Sequence, residues 1–192
     1  MKPLTQFIVK IPQKFKNEIS FNGGKLHLVS KFKEFENRFN YAEIVACPVN
    51  CPVDKCEGDI LYFHHHVVLE QRYDIGDNLF LVNYEPQGGY GNHAIAIQDK
   101  DENITMLGDW CFVYPEEEPK EEVNSSGIII AIKEEPKNEG ELVALPSDSE
   151  WIGANIGDTI GYTKNSDYKM ELTNGNTVYR MRTEELLYAK KD

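Results

Sequence analysis

The feature that most limits how this chain can fold is an internal repeat. Residues 41–48 read YAEIVACP and residues 139–146 read EGELVALP; both carry Glu, an aliphatic residue, Val, Ala, one variable residue and Pro. Further on, Gly58-Asp59-Ile60-Leu61 matches Gly157-Asp158-Thr159-Ile160. Upstream, Leu4, Phe7-Ile8-Val9 and Pro12 match Leu107, Trp110-Cys111-Phe112 and Pro115, and Gly24 with Lys25-Leu26-His27 falls on Gly127 with Ile128-Ile129-Ile130. Four blocks recurring in one order predict two copies of one module in tandem. Gly-Asp before an aliphatic run is a turn device, because Gly accepts positive φ and Asp bonds nearby N–H groups.

The apolar residues fall in short runs punctuated by Gly, Asn, Asp and Pro, the pattern of an all-β barrel or sandwich. Asn174-Gly175, between two alternating segments, predicts a tight hairpin. Phe32, Phe35 and Phe39 have helical spacing, and read as an aromatic cluster over the core or one short helix. The expectation is therefore an all-β chain of two small β-barrels, residues 1–104 and 105–192. The first carries a long insertion at about 67–92. Strands such as Phe7 to Ile11 or Leu186 to Ala189 are candidate edges for pairing between copies in a ring.

With 32 acidic against 20 basic residues the formal net charge is −12, which disfavours a general nucleic-acid binder. No apolar run approaches the roughly 20 residues of a membrane helix, and the first residues lack the apolar stretch of a secretion signal. These features predict a cytoplasmic protein that binds no membrane, with its cysteines reduced.

The segment PEEEPKEEVN, Pro115 to Asn124, cannot bury itself, and a second acidic stretch spans Lys133 to Gly140. Between them lies the apolar island Gly127-Ile128-Ile129-Ile130. It reads either as a plain strand or as a sticky segment held out for capture on a mobile loop at about 115–140.

Residues 104–132, ITMLGDWCFVYPEEEPKEEVNSSGIIIAI, resemble the opening of the co-chaperonin family, GroES and its relatives: a Pro-Leu-Gly-Asp-type turn, a Val-rich strand, then a charged loop with Gly and three aliphatic residues. Residues 139–162 and the ending TVYRMRTEELLYAKKD are similar to the family's later strands. The first half resembles it through KPL, FNGGKLHL, YAEIVACP and CEGDILYF. Met106 and Trp110 depart from the family's Pro and Arg, as a divergent or phage-encoded member would. The resemblance implies two GroES-like barrels. It also implies a ring that caps an ATP-bound, GroEL-like double-ring chaperonin and closes a chamber around an unfolded client, in the host cytoplasm if phage-encoded. Gly127, Ile128, Ile129 and Ile130 would dock in an apolar groove. Gly24, Leu26 and Leu28 would form a weaker second anchor, because Lys25 is costly in such a groove. The alternative from another class is a structural protein, a virion or scaffold component, that reuses the barrel and makes its contacts through the Tyr-rich insertion.

Cys47, Cys51 and Cys56 precede His64 and His66, residue types that ligate zinc. Their spacing differs from tight CxxC pairs, so a reduced-thiol loop is the preferred reading and no cofactor is expected. If residues 60–66 form a strand, His64 and His66 share one face. The sequence contains no GxSxG, HExxH or P-loop, and predicts a protein that is not an enzyme.

Overall fold

The computed structural model describes residues 3–12, 18–21, 24–27, 39–115 and 138–190, which divide into two units, 1–108 and 109–192. The first unit contains β1 (Gln6–Lys10), β2 (Glu18–Phe21), β3 (Gly24–His27), β4 (Tyr41–Ala46), β5 (Ile60–Phe63), a short helix α1 (His66–Leu69), β6 (Asp74–Gly76), β7 (Leu79–Asn83), β8 (Ala94–Gln98) and β9 (Ile104–Met106). The second contains β10 (Trp110–Pro115), β11 (Glu139–Ala144), β12 (Thr159–Tyr162), β13 (Tyr168–Glu171), β14 (Thr177–Arg182) and β15 (Leu186–Lys190). The chain is all-β in character, and its ladders are antiparallel. Among the described residues no helix is long and apolar enough to cross a membrane.

The two main sheets have the same strand order. The first runs β6-β7-β1-β4-β5-β8-β9 and the second β13-β14-β10-β11-β12-β15. The correspondence extends to individual residues. Ile8 faces Ala46 and Val9 faces Ile44, with a bulge between Ile8 and Val9; Phe112 faces Ala144 and Val113 faces Leu142, with a bulge between Phe112 and Val113. A second bulge separates Tyr62 from Phe63 on β5, and its counterpart separates Gly161 from Tyr162 on β12. Bulges re-aim strands and fix register, so two coincident bulges mark one architecture built twice.

The Gly-Asp turns explain why those blocks repeat. Gly58 N–H donates to Ile44 O at 2.8 Å and Ile44 N–H to Asp59 O at 2.8 Å; the matching bonds join Gly157 to Leu142 O at 2.8 Å and Leu142 to Asp158 O at 3.0 Å. Both glycines sit at positive φ, 87° and 96°, where a side chain would be strained.

Each sheet buries its own core by alternation. Ala42, Ile44 and Ala46 on β4 are buried, as are Leu142 and Ala144 on β11. In the first unit Ala42 and Ile44 join Phe7, Val9, Leu61, Phe63, Phe80 and Val82; in the second, Leu142 joins Cys111, Val113, Ile160, Tyr162 and Met181. Facing sizes are exchanged at one pair: Tyr62 opposes Ala96 in the first unit, whereas Gly161 opposes Tyr188 in the second.

Three sequence expectations change. The ladders place Phe7 opposite Val82 and Cys111 opposite Met181, so Phe7 corresponds to Cys111, one residue beyond the match to Trp110. The insertion at 67–92 shrinks, because β7 lies within it and is the counterpart of β14. The span between β5 and β6 is longer than its partner between β12 and β13, but the β6–β7 turn is shorter to match, so the net excess lies from Tyr84 to His93, whose partner runs from Thr183 to Glu185. Tyr84 bonds to Thr5 O as Thr183 bonds to Asp109 O, and His93 O accepts from His64 as Glu185 O accepts from Thr163. β1 lies between β7 and β4 and is no edge, whereas β15 is an edge strand. The division of the chain falls after Gly108, near the expected residue 105, with β9 kept in the first unit by its pairing with β8. Phe32 and Phe35 lie outside the described residues.

Candidate functional site

The long spans between β1 and β4 and between β10 and β11 start and end at the same places in the sheet. In each unit the chain leaves after the first central strand and returns into the strand beside it, so the two feet are neighbours. In the first unit Lys10 faces Glu43, Ile11 N–H donates to Asn78 O at 3.1 Å, and Asn40 O accepts from Phe63 at 2.8 Å. In the second unit Tyr114 faces Glu141, Pro115 faces Gly140, and Asn138 O accepts from Tyr162 at 2.9 Å. Gly140 makes the second pair of feet close, because a Cβ there would collide with Tyr114 O and lie 2.6 Å from Val113 Cγ1.

The returning foot of the second loop is tied to the edge strand. Glu139 Oε1 accepts from Tyr188 Oη at 2.5 Å and from Lys190 Nζ at 2.6 Å. The bond to Glu139 raises the Tyr188 phenol above its usual pKa. β15 carries exposed Leu187 and Tyr188, the Tyr188 ring lying over Gly161 of β12, and its outer edge has no paired strand among the described residues. The equivalent strand of the first unit, β8, is covered by β9, with Ala96 facing Met106 and Ile97 facing Thr105.

Gly24 and Leu26 lie in β3, paired with Phe21 and Ile19 of β2, so the first loop contains a two-stranded hairpin. Leu28, Gly127, Ile128, Ile129 and Ile130 lie outside the described residues.

No family model matches the chain, and no curated protein is significantly similar to it.

The suggested zinc set does not form one site. Cys47 and Cys56 are joined in a disulfide, so the expectation of wholly reduced cysteines also fails. Cys51 Sγ lies 3.8 Å from Cys56 Sγ, and burial pushes its thiol pKa up. This cluster sits beside the Gly58 end of β5, whereas His64 follows its other end. Four strand residues, about 13 Å at 3.3 Å each, separate the two groups. Nor do residues 60–66 form a strand: β5 ends at Phe63, His65 is helical, and α1 begins at His66. In the second unit Ser149 takes the place of Cys51 and bonds through Oγ to Pro146 O. The link between Glu139 and β15 was missed by sequence reading. Its residues are 49 and 51 positions apart, and nothing local announces them.

Proposed function

We propose that the protein is a co-chaperonin: a lid with no chemistry of its own, which caps an ATP-bound double-ring chaperonin and closes a chamber around a folding client. The observation that carries this reading is the doubled sheet, in which a long loop leaves and re-enters at equivalent positions in both units. A loop with neighbouring feet can be long at little cost to the sheet, since closure entropy grows slowly with length. In the second unit that loop carries Gly127-Ile128-Ile129-Ile130 between charged arms. Each Ile buried in an apolar groove is worth about 1.5–3 kcal/mol before the ordering of the loop is deducted. One loop binds weakly and releases, and several acting together gain by avidity. In this reading each sheet closes into a GroES-like barrel and the chains form a ring. The outer edge of β15, which pairs with no strand among the described residues, supports that assembly, because a segment ahead of β1 in a second copy could cover it as β9 covers β8.

The test is capture of the chain by a double-ring chaperonin with and without ATP, comparing the unmodified protein with Ile129→Asp and Leu26→Asp. ATP-dependent capture that Ile129→Asp abolishes, and Leu26→Asp reduces less, is the expected result. A folded Ile129→Asp protein that binds as well as the original overturns the assignment of the anchor. Absence of capture by the unmodified protein overturns the lid. It would favour the structural reading, for which Tyr90, 93% exposed in the Gly-rich loop of the first unit, is the contact to examine.

A further inference from the structure

The first unit gathers four imidazoles at the end of β5 where the second unit has none. His65 is helical, φ −56° and ψ −23°, so the side chains of His64, His65 and His66 do not alternate as they would on a strand. Their ring centroids lie 4.8 Å (64–65), 4.5 Å (64–66) and 4.2 Å (65–66) apart. A ring nitrogen from each falls within 4.8 Å of the others. His64 N–H donates to His93 O at 2.9 Å, and that backbone bond brings the His93 ring to 6.4 Å from the His64 ring.

Two details go beyond proximity. His93 Nδ1 is buried with no hydrogen-bond partner, a costly state for a ring nitrogen. His64 Nδ1 accepts the His66 N–H at 3.3 Å, a long bond that a metal ion at that nitrogen would replace. The residues around the cluster are Tyr73, packed edge-on to His93 at 5.4 Å, and the Glu70–Arg72 ion pair at 2.5 Å. The counterparts in the second unit are Thr163, Lys164, Asn165 and Glu185, so the shared sheet does not require imidazole here.

We propose that His64, His65, His66 and His93 form a site for a divalent transition-metal ion of the class that prefers imidazole: Zn2+, Ni2+ or Cu2+. Neutral imidazole suits these ions, and the absence of a thiolate separates the site from the cysteine cluster. Zinc–nitrogen bonds of about 2.0–2.1 Å place tetrahedral ligand atoms about 3.4 Å apart. Exposed His66 and half-buried His64 can rotate to close that difference, while His65, 6% exposed, is held from within the unit. The proposal is independent of the co-chaperonin reading.

The test is calorimetric titration of the full chain with Zn2+ alone and with Ni2+ alone near neutral pH, with Cys51 blocked by iodoacetamide. The expected result is one saturable site per chain. His64→Asn, His66→Asn and His93→Gln should each weaken it by about tenfold or more. The His64→Asn/His66→Asn double variant should lose it. As a readout on the unmodified protein, Ni2+ should broaden the amide resonances of residues 63–67 and 93–94 first. The proposal is overturned by absence of saturable binding, by unchanged affinity in a folded double variant, by broadening elsewhere, or by binding that vanishes when Cys51 is blocked.

Discussion

Arg180 offers a direct test of how the second sheet is held together. It lies on β14, is 4% exposed, and corresponds by ladder position to Leu81 of the first unit, since Ile8 faces Leu81 as Phe112 faces Arg180. Its guanidinium stacks 3.9 Å from the Tyr168 ring centroid and 5.0 Å from that of Trp110. Burial lowers its pKa to about 10, with Tyr168 acting against that shift. Two desolvated cation–π contacts supply about 2 kcal/mol each. Removing the charge from water costs several kcal/mol, so the two effects nearly cancel. The aliphatic stem contributes separately, at about 0.8 kcal/mol per buried methylene. Arg180→Leu keeps the buried hydrocarbon and removes the desolvated charge, and its stability is expected within about 1 kcal/mol of the original. Arg180→Ala also loses the stem and leaves a cavity, costing about 2–4 kcal/mol. The assay is urea unfolding of both variants followed by tryptophan fluorescence. A leucine variant as unstable as the alanine variant would refute the reasoning and show that the charge itself is required.

Reduction of Cys47–Cys56, whose partners are 9 residues apart, should destabilise the first unit by about 2.6 kcal/mol; unfolding with and without reductant measures this. Half-buried Cys51 should be alkylated in the native protein, more slowly near neutral pH than a free thiol because burial raises its pKa, and faster as pH rises. Cys111, 0% exposed and with its pKa also raised by burial, should react only after unfolding; peptide mapping of the labelled protein distinguishes the two, and native labelling of Cys111 would contradict its burial. Asp99 accepts from the Asn103 side chain at 2.9 Å and from the N–H groups of Asn103 at 2.8 Å and Asp101 at 2.9 Å, which hold its carboxyl below the usual range. Its contribution to the β8–β9 turn is therefore full above the unfolded carboxylate pKa and lost as pH falls through the lower folded value. An unshifted carboxyl titration by NMR would count against it.

The most legible parts of the fold were those set by local chemistry. Gly58-Asp59 and Gly157-Asp158 announce their turns because few other pairs can make them, and the Glu-x-Val-Ala-x-Pro blocks locate β4 and β11. The apolar run Leu79 to Val82 reads as a strand, but its equivalence to β14 was hidden, since buried Arg180 stands where Leu81 does. The match of β1 to β10 slipped by one because Phe7, Ile8 and Val9 are all buried and apolar, so alternation could not fix the register around the bulge. The histidines misled for a related reason: strand alternation was extended through residues that turn into α1. The cysteine and histidine groups looked like one set because sequence distance conceals which end of β5 each occupies.

The spans between strands carry a consequence for how such a chain can change. Equivalent residues stand 104 positions apart in β1 and β10 (Ile8 and Phe112), 98 in β4 and β11 (Ile44 and Leu142), 99 in β5 and β12 (Leu61 and Ile160) and 92 in β8 and β15 (Ile97 and Ala189). Every change of offset falls between ladders, where added length costs only closure entropy, about 0.6 kcal/mol for each doubling. The sheets therefore act as a fixed chassis, and the spans can be lengthened or rewritten one copy at a time. One copy can lose or gain a binding surface while its twin keeps the older one, and neither pays in hydrogen bonds.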